Sequence, residues 1–220
     1  MIKWWSKGKV ATGNQDVDRY LQQVFKITKD LPIEDLQFVV LDCEMTGLDK
    51  QAELVSLGAV KVANNRIEVA DALDLKFSFA SNNAASEIHG ELGTTDGKSP
   101  QASIAEILNF LQNAIVVGHS VSIDLDHLNR LLASTHSQLK LRNPVLDTHD
   151  LMVRLDPTRF ERAIGGQNAL RLDVLCEELD VPIENRHTAL GDAYMTAQLF
   201  LKLLSRLRRR KVLKAGQLMR

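Results

Sequence analysis

The chain has 220 residues, with 27 basic and 28 acidic side chains, which is enough for one compact domain with a buried core and an appendage. Residues 201–220 hold eight Lys or Arg and no acidic residue, so the first 200 residues carry a net charge of −9. Two cysteines in apolar runs give no sign of a disulfide framework and fit a reducing cytoplasm. No apolar run approaches the ~20 residues that a transmembrane segment needs, and the N-terminus lacks the apolar core of a signal peptide.

Residues 1–35 are predicted to form an N-terminal basic segment and a helix. The opening MIKWWSKGKVATGN is basic and rich in turn-forming residues, and the apolar residues of QDVDRYLQQVFKITKDL then recur near helical spacing. Leu31-Pro32 is predicted to end the helix. We expect the helix to pack on its own domain; docking of the segment, with its Trp4-Trp5 pair, on a partner protein is the alternative.

Residues 36–207 are predicted to form the main domain and residues 208–220 a basic C-terminal tail. The predicted strands lie at 37–44, 53–63, 67–78, 115–118 and 145–146. The predicted helices lie at 103–112, 122–134, 148–155, 169–179 and 189 to about 211, and a long loop is expected at 80–100. Three consecutive strands, followed by alternating helices and strands, predict a mixed α/β sheet that is covered by helices.

Four carboxylates and one imidazole stand beside apolar runs in three separated stretches. They are Asp42 and Glu44 in VVLDCEMTGLD, Asp124 in VVGHSVSID, and His187 with Asp192 in HTALGD. Because residues i and i+2 of a strand face the same side, Asp42 and Glu44 can converge on one point while Cys43 faces the core. Hard carboxylate oxygens suit Mg²⁺ or Mn²⁺. The set predicts a site for two divalent cations that could polarise a phosphodiester and activate a water.

His187 is predicted to lie on a loop before the helix that carries Asp192. Five residues at about 100° each separate the two side chains by about 140° around an ideal helix, so they would not share a face if the helix began earlier. An imidazole titrates near neutral pH, which suits a general base. The plainer interpretation of HTALGDA is a polar helix start, with Asp192 as an acidic residue of the first turn.

The three stretches, taken in order, resemble the signature of the DEDDh 3′–5′ exonucleases. That signature has DxE after a strand, an Asp closing GHxxxxD, and HxxxxD opening a helix, and the family includes the proofreading subunit of bacterial replicative DNA polymerase. The similarity covers roughly residues 36–205. It extends to TGL at 46–48, IHG at 88–90, VLDT at 145–148, and LDVLCEELDV from Leu172. The resemblance implies a ribonuclease-H-like fold with a mixed five-stranded sheet flanked by helices, here with an extra N-terminal helix.

The resemblance also implies roles for the acidic residues. Asp42 would bridge two cations, Mg²⁺ or Mn²⁺, with Glu44 and Asp192 completing one site. Asp124 would support the other site through bound water, and His187 would be the general base. The implied reaction is hydrolysis at the 3′ end of single-stranded DNA or RNA, with release of nucleoside 5′-monophosphates.

Substrate contacts are implied for Gly47, Leu48 and His89. Two departures from the family pattern bear on them, because Ser120 stands where an Asn is usual and Ile123 where an aromatic residue is usual. Ser120 cannot make the paired hydrogen bonds of an amide, and Ile123 lacks a flat ring that could stack. These departures affect substrate preference and turnover more than the type of reaction.

Three alternatives stay open at this point. A catalytically impaired ribonuclease-H-like module that binds nucleic acid or protein would explain Ser120 and Ile123. A haloacid-dehalogenase-like phosphatase would use Asp42 as a nucleophile, but Glu44 is too long for its DxDxT motif. The RLRRRKVLK run from Arg206 either binds backbone phosphates or is a solvated helix end whose cations favour the helix dipole.

Overall fold

The computed structural model describes residues 13–23, 27–47, 49, 52–78, 97–136 and 139–220. These ranges contain five strands, Phe38–Met45 (β1), Leu54–Ala63 (β2), Arg66–Lys76 (β3), Ile115–Gly118 (β4) and Val145–Asp147 (β5). They also contain eight α-helices, Gln15–Gln22 (α1), Ile104–Phe110 (α2), Ser122–Thr135 (α3), Thr148–Leu155 (α4), Thr158–Ile164 (α5), Leu172–Glu178 (α6), Ala189–Arg209 (α7) and Ala215–Leu218 (α8). Short 3-10 turns precede β1 at Ile33–Asp35 and α2 at Pro100–Ser103.

The strands form one mixed sheet in the order β3-β2-β1-β4-β5. β1, β2 and β3 pair antiparallel, and β4 and β5 join β1 in parallel. The tight turn between β2 and β3 places Asn64 and Asn65 at φ values of 50° and 60°, a left-handed conformation that Asn tolerates. The mixed five-stranded sheet predicted from the order of the elements is therefore confirmed.

Helices cover both faces of the sheet, and the alternation of β1 divides the core in two. Val40 packs in the layer that α4, α6, α7 and α8 contribute to, whereas Val39 and Cys43 pack with α1, α2 and α3. Asp42 and Glu44 follow Val40 at two-residue steps, so they face the layer of α7. Within the described ranges, no helix is long and apolar enough to span a membrane.

The N-terminal helix packs on its own domain, but it is shorter than predicted. α1 ends at Gln22, and Gln23 adopts an extended conformation, so the prediction of a helix reaching Leu31 is wrong. Val17, Tyr20 and Leu21 are buried, and the Tyr20 hydroxyl donates a hydrogen bond to Asn143 Oδ1 at 2.5 Å. Trp4 and Trp5 lie outside the described residues, so the partner role of this segment stays a prediction.

The C-terminal residues contact the segment that leads into β1. Ile33 N–H donates to the Leu213 carbonyl at 3.0 Å, and Ala215 N–H donates to the Leu31 carbonyl at 2.8 Å. Leu218 is buried in the same layer as α7. The predicted division of the chain at residues 35 and 207 stays a prediction, and these contacts join the segments on its two sides.

The sequence pattern missed two short helices and placed the start of α6 too early. α5 follows Pro157 and leaves Phe160 and Ile164 largely exposed, so it has no clean apolar stripe to recognise. α8 is a single turn. The helix predicted from residue 169 begins at Leu172, because Arg171 is still extended and serves as its N-cap residue. Most of the predicted loop at 80–100 lies outside the described residues.

Gly58 sets how closely α7 approaches the sheet. It pairs with Asp42 across β1 and β2. A Cβ added at Gly58 would lie 2.1 Å from the backbone nitrogen of Leu190 and 2.2 Å from the carbonyl carbon of Ala189. Since backbone atoms cannot give way at such distances, only glycine lets the first turn of α7 rest directly on β2.

We predict that Gly58→Ala displaces the first turn of α7 and lowers the free energy of unfolding by about 1–3 kcal/mol, the usual cost of overpacking. Urea denaturation followed by circular dichroism measures the change. Gly47→Ala is the matched control, because the nearest atom to its new Cβ, Ala52 Cβ, is 3.8 Å away. Equal stability of the two variants would contradict the close approach at Gly58.

Candidate active site

Three carboxylates converge where β1 ends beside the start of α7. Asp42 and Glu44 come from the last half of β1, and Asp192 comes from the first turn of α7. One oxygen from each lies within 4.8 Å of the others. The strand spacing and the loop-to-helix position predicted from the sequence therefore bring these three groups to one point.

Asp124 lies in the helix layer on the other face of the sheet and hydrogen-bonds to the backbone of β1. It lies in the first turn of α3, is 6% exposed, and its Oδ1 accepts a hydrogen bond from Cys43 N–H at 3.0 Å. Cys43 lies between Asp42 and Glu44 in β1, so the bond holds Asp124 beside the three-carboxylate cluster. Its charge also acts on Asp42, as the pKa of Asp42 shows.

The carboxylates are crowded and poorly solvated. Burial, followed by the charges of Asp124, Asp192 and Glu44, raises the pKa of Asp42 well above its usual range. Burial raises the pKa of Asp124 to about 7, even though the hydrogen bond from Cys43 lowers it. Burial also raises the pKa of Asp192. An added cation would relieve this repulsion and desolvation.

Arg186 supplies a positive charge beside the carboxylates. Its Nη1 donates to Asp192 Oδ2 at 2.5 Å, and its charge lowers the pKa values of both Asp42 and Asp192. Asp192 Oδ1 is buried without a hydrogen-bond partner among the described residues. Sequence reasoning missed Arg186; its position directly before the HxxxxD stretch was the available signal.

His187 lies on the loop before α7, as its separation from Asp192 predicts. Its φ of 65° is left-handed, Thr188 is the N-cap residue, and α7 begins at Ala189. The Thr188 hydroxyl accepts a hydrogen bond from Gly191 N–H at 3.1 Å, which fixes the start of the helix. His187 is exposed, and its backbone N–H acts against the burial that raises the pKa of Asp192.

Asp147 organises the turn that leads into α3. Its two carboxylate oxygens accept hydrogen bonds from Ser120 N–H and Val121 N–H, both at 2.9 Å. Ser120 is held at a φ of 55°, a left-handed conformation that the Asn usual in the family adopts more readily. His119 Nδ1 is 2.8 Å from Thr148 Oγ1. The VLDT stretch thus positions the turn before Asp124, a role that sequence reasoning did not assign.

A cleft of about 400 Å³ opens beside the carboxylates. Asp42 and Asp192 line one part of it, and the residues between α5 and α6 form another wall. The lining also includes His119, Ser120, Ala163, Gln167, Asn168, Leu170, Arg171, Leu172 and Arg186. Gly47 is the second residue after β1 and Ile123 is 39% exposed, while Leu48 and His89 lie outside the described residues. Substrate contacts at Gly47, Leu48 and His89 stay predictions.

The exonuclease family model RNase_T matches residues 39–200, a range that contains every carboxylate of the site. The chain belongs to this exonuclease family. The DEDDh resemblance that the three sequence stretches carry is thereby confirmed.

The relatives of this chain include proteins named after bacterial DNA polymerase III. The DNA polymerase III subunit epsilon-like protein of Rhodobacter capsulatus is 34% identical over 213 residues, covering 87% of this chain and 28% of that protein. The PolC-type DNA polymerase III of Thermotoga petrophila is 31% identical over 195 residues, covering 87% of this chain and 14% of that protein. The chain thus spans less than a third of either relative.

The solved structure of Escherichia coli exonuclease I in complex with a dT13 oligonucleotide matches the fold with a TM-score of 0.63. The match covers 80% of this chain and 42% of that chain, at 16% sequence identity. The ribonuclease-H-like fold predicted from the resemblance is therefore confirmed.

We predict that the protein becomes more stable in EDTA as the pH is lowered through about 7. The pKa of Asp124 is about 7 in the folded state and ~3.9 in an unfolded chain, so the folded state binds this proton more tightly. Stability should therefore rise as the pH falls from above 7 towards ~4. Thermal unfolding across this range measures it, and Asp124→Asn, which keeps an acceptor for Cys43 N–H, should flatten the rise.

We predict that Arg186→Gln lowers the free energy of unfolding in EDTA by about 1–3 kcal/mol, because Asp192 loses its charged partner in a mostly buried site. Arg171→Gln is the control. Arg171 lines the same cleft but pairs with Asp173 instead, and that exposed pair is worth about 0–1 kcal/mol. Equal losses for the two variants would show that Arg186 is not the counter-ion of the cluster.

Proposed function

We propose that this protein is a 3′–5′ exonuclease that hydrolyses the terminal phosphodiester of a single-stranded nucleic acid and releases nucleoside 5′-monophosphates. The observation that carries the proposal is the convergence of Asp42, Glu44 and Asp192 within 4.8 Å in a chain of the exonuclease family. Asp124, bonded to the strand between the first two, completes the set of four carboxylates.

The residues fit two divalent cations. Asp42, Glu44 and Asp192 would hold one ion, and Asp42 with Asp124 would support the second. The unpartnered Asp192 Oδ1 and the raised pKa values of three carboxyls are what an acidic site for cations should show. Oxygen ligands favour Mg²⁺ or Mn²⁺. When bound, such a pair lowers the pKa of a coordinated water and stabilises charge on the phosphoryl oxygens.

His187 is the proposed general base. Its exposed position on the loop before α7 leaves the imidazole accessible to a water at the cluster, because His187 lies just before Thr188, the N-cap residue of the helix that carries Asp192. The imidazole would accept the proton of the attacking water, a step that typically contributes 10²–10⁴-fold to rate. Asp42, Glu44, Asp124 and Asp192 would set the position of that water relative to the phosphodiester.

A single-stranded substrate is supported by the shape of the cleft and by the structural relative. The cleft of about 400 Å³ beside the carboxylates has room for a terminal nucleotide. Escherichia coli exonuclease I, which shares the fold, was solved with a dT13 oligonucleotide. Gly47, Leu48 and His89 are the proposed contacts to the terminal nucleotide.

Hydrolysis of 5′-labelled single-stranded DNA and RNA of matched sequence, with Mg²⁺, Mn²⁺ or EDTA, tests the activity. We expect a shortening ladder that depends on the cation, and the faster polymer identifies the preferred substrate. A folded protein that produces no ladder on either polymer would instead support a binding module without catalysis.

We predict that Asp42→Ala, Glu44→Ala, Asp124→Ala and Asp192→Ala each abolish cleavage, because each removes a proposed cation ligand. His187→Ala should slow cleavage by about 10²–10⁴-fold and leave Mn²⁺ binding unchanged. Single-turnover rates and calorimetric titration with Mn²⁺ separate the two effects. Cleavage at the normal rate by Asp42→Ala would refute the proposed mechanism.

We predict that Mn²⁺ raises the melting temperature of the wild-type protein, since an ion that binds only the folded state stabilises it. Asp42→Asn should melt at a higher temperature than the wild type in EDTA, because a buried charge is removed, yet gain little from Mn²⁺. Differential scanning calorimetry measures both. An equal Mn²⁺ shift in the two proteins would exclude Asp42 as a ligand.

A further inference from the structure

A second cleft lies at the far end of α7 from Asp192. It has a volume of about 560 Å³, and we call it the arginine cleft. Its lining residues are Met152, Leu155, Asp156, Arg159, Arg206, Arg209 and Arg210. At 1.5 Å per helical residue, Arg206 and Arg210 lie about 21 and 27 Å along the helix from Asp192. The arginine cleft is therefore separate from the active site.

Three of its arginines are available to a ligand. Arg206, Arg209 and Arg210 are exposed, and none of the ion pairs found in the described ranges involves them. Their spacing of three and four residues places them close together at the end of α7.

The carboxylates near these arginines are already paired. Asp156 contacts Arg159 at 3.3 Å and Arg162 at 3.2 Å, and it accepts hydrogen bonds from Thr158. Glu178 is paired with Arg159. Four guanidinium groups line the cleft, and Asp156 and Glu178 together offset about two of their charges, so the cleft keeps a net positive charge that Arg206, Arg209 and Arg210 carry.

The character of the lining favours phosphate groups. Arg159 is 7% exposed, and its Nη1 donates to the Ala169 carbonyl at 3.1 Å, so one guanidinium is held rigidly in the wall. Guanidinium groups bind phosphate oxygens in a bidentate manner, which a lysine ammonium cannot do. Like charges at this spacing on a helix destabilise it, so a polyanion would relieve a repulsion that the free protein bears.

We propose that the arginine cleft binds the phosphate backbone of a single-stranded polynucleotide whose 3′ end occupies the active site. The inference rests on the proposed exonuclease function. At a rise of ~3.4 Å per stacked nucleotide, the distance of about 21–27 Å corresponds to roughly six to eight nucleotides. Shorter strands would reach the active site alone, and longer strands would bind both sites.

The test is fluorescence anisotropy of labelled single strands of increasing length, measured in EDTA over a range of salt concentrations. For wild-type protein, we expect affinity to rise once the strand exceeds roughly eight nucleotides. Arg206→Ala/Arg209→Ala/Arg210→Ala should remove that rise and reduce the slope of log K against log salt by about 2, the value for three contacts on a single strand. Strands of three nucleotides should bind both proteins equally.

Arg66→Ala/Lys98→Ala/Lys140→Ala is the matched control, because it removes three exposed positive charges outside the arginine cleft. Circular dichroism confirms that each variant is folded. Equal losses of affinity in the two triple variants, or unchanged binding of long strands by the arginine variant, would overturn the proposal. So would an acidic peptide that binds through these arginines while long strands do not.

The outcome is independent of cleavage, because EDTA suppresses any metal-dependent step. A protein that cuts neither polymer but shows the arginine-dependent rise with strand length would retain the proposed cleft and lose the proposed activity. The protein could instead cut both short and long strands, while the arginine substitutions leave binding and KM unchanged at every length. That result would support the proposed activity and reject the proposed role of the arginine cleft.

Discussion

The contact between the first turn of α7 and Gly58 of β2 is the constraint on which the rest of the site depends. Gly58 pairs with Asp42, and the backbone of Ala189 and Leu190 lies directly over it. This contact places Asp192, in the first turn of α7, beside Asp42 and Glu44 on β1. A side chain at position 58 would separate α7 from the sheet and so disperse the acidic cluster.

The acidic cluster of the candidate active site lowers the stability of the folded protein. Burial and mutual repulsion raise the pKa values of Asp42, Asp124 and Asp192, so keeping all of them ionised opposes folding. Arg186 offsets part of that cost, and the bond from Cys43 to Asp124 offsets another part. Such a site is preorganised for cations, because the unfavourable charge is already assembled before an ion arrives.

The charge of the chain is separated along α7. Its first turn carries Asp192 within the acidic cluster, whereas its last turn carries Arg206, Arg208 and Arg209. The arrangement follows the helix dipole at both ends. One helix about 30 Å long thus connects the acidic cluster with the arginine cleft that is proposed to bind phosphates.

Local pattern determined much of this protein. The alternation of β1 predicted that Asp42 and Glu44 share a face, and the angular separation of His187 from Asp192 predicted a loop before α7. Both predictions rest on the periodicity of the backbone, which can be applied to a sequence without knowing its tertiary contacts. Helix α5 was missed because it has no clean apolar stripe, and the end of α1 was placed too late because apolar residues keep near-helical spacing beyond Gln22. Arg186, Asp147 and Gly58 acquire their roles from partners that are distant in the sequence or across a turn. Only the folded chain shows that Arg186 pairs with Asp192, that Asp147 holds the turn before Asp124, and that Gly58 lets α7 pack closely on the sheet.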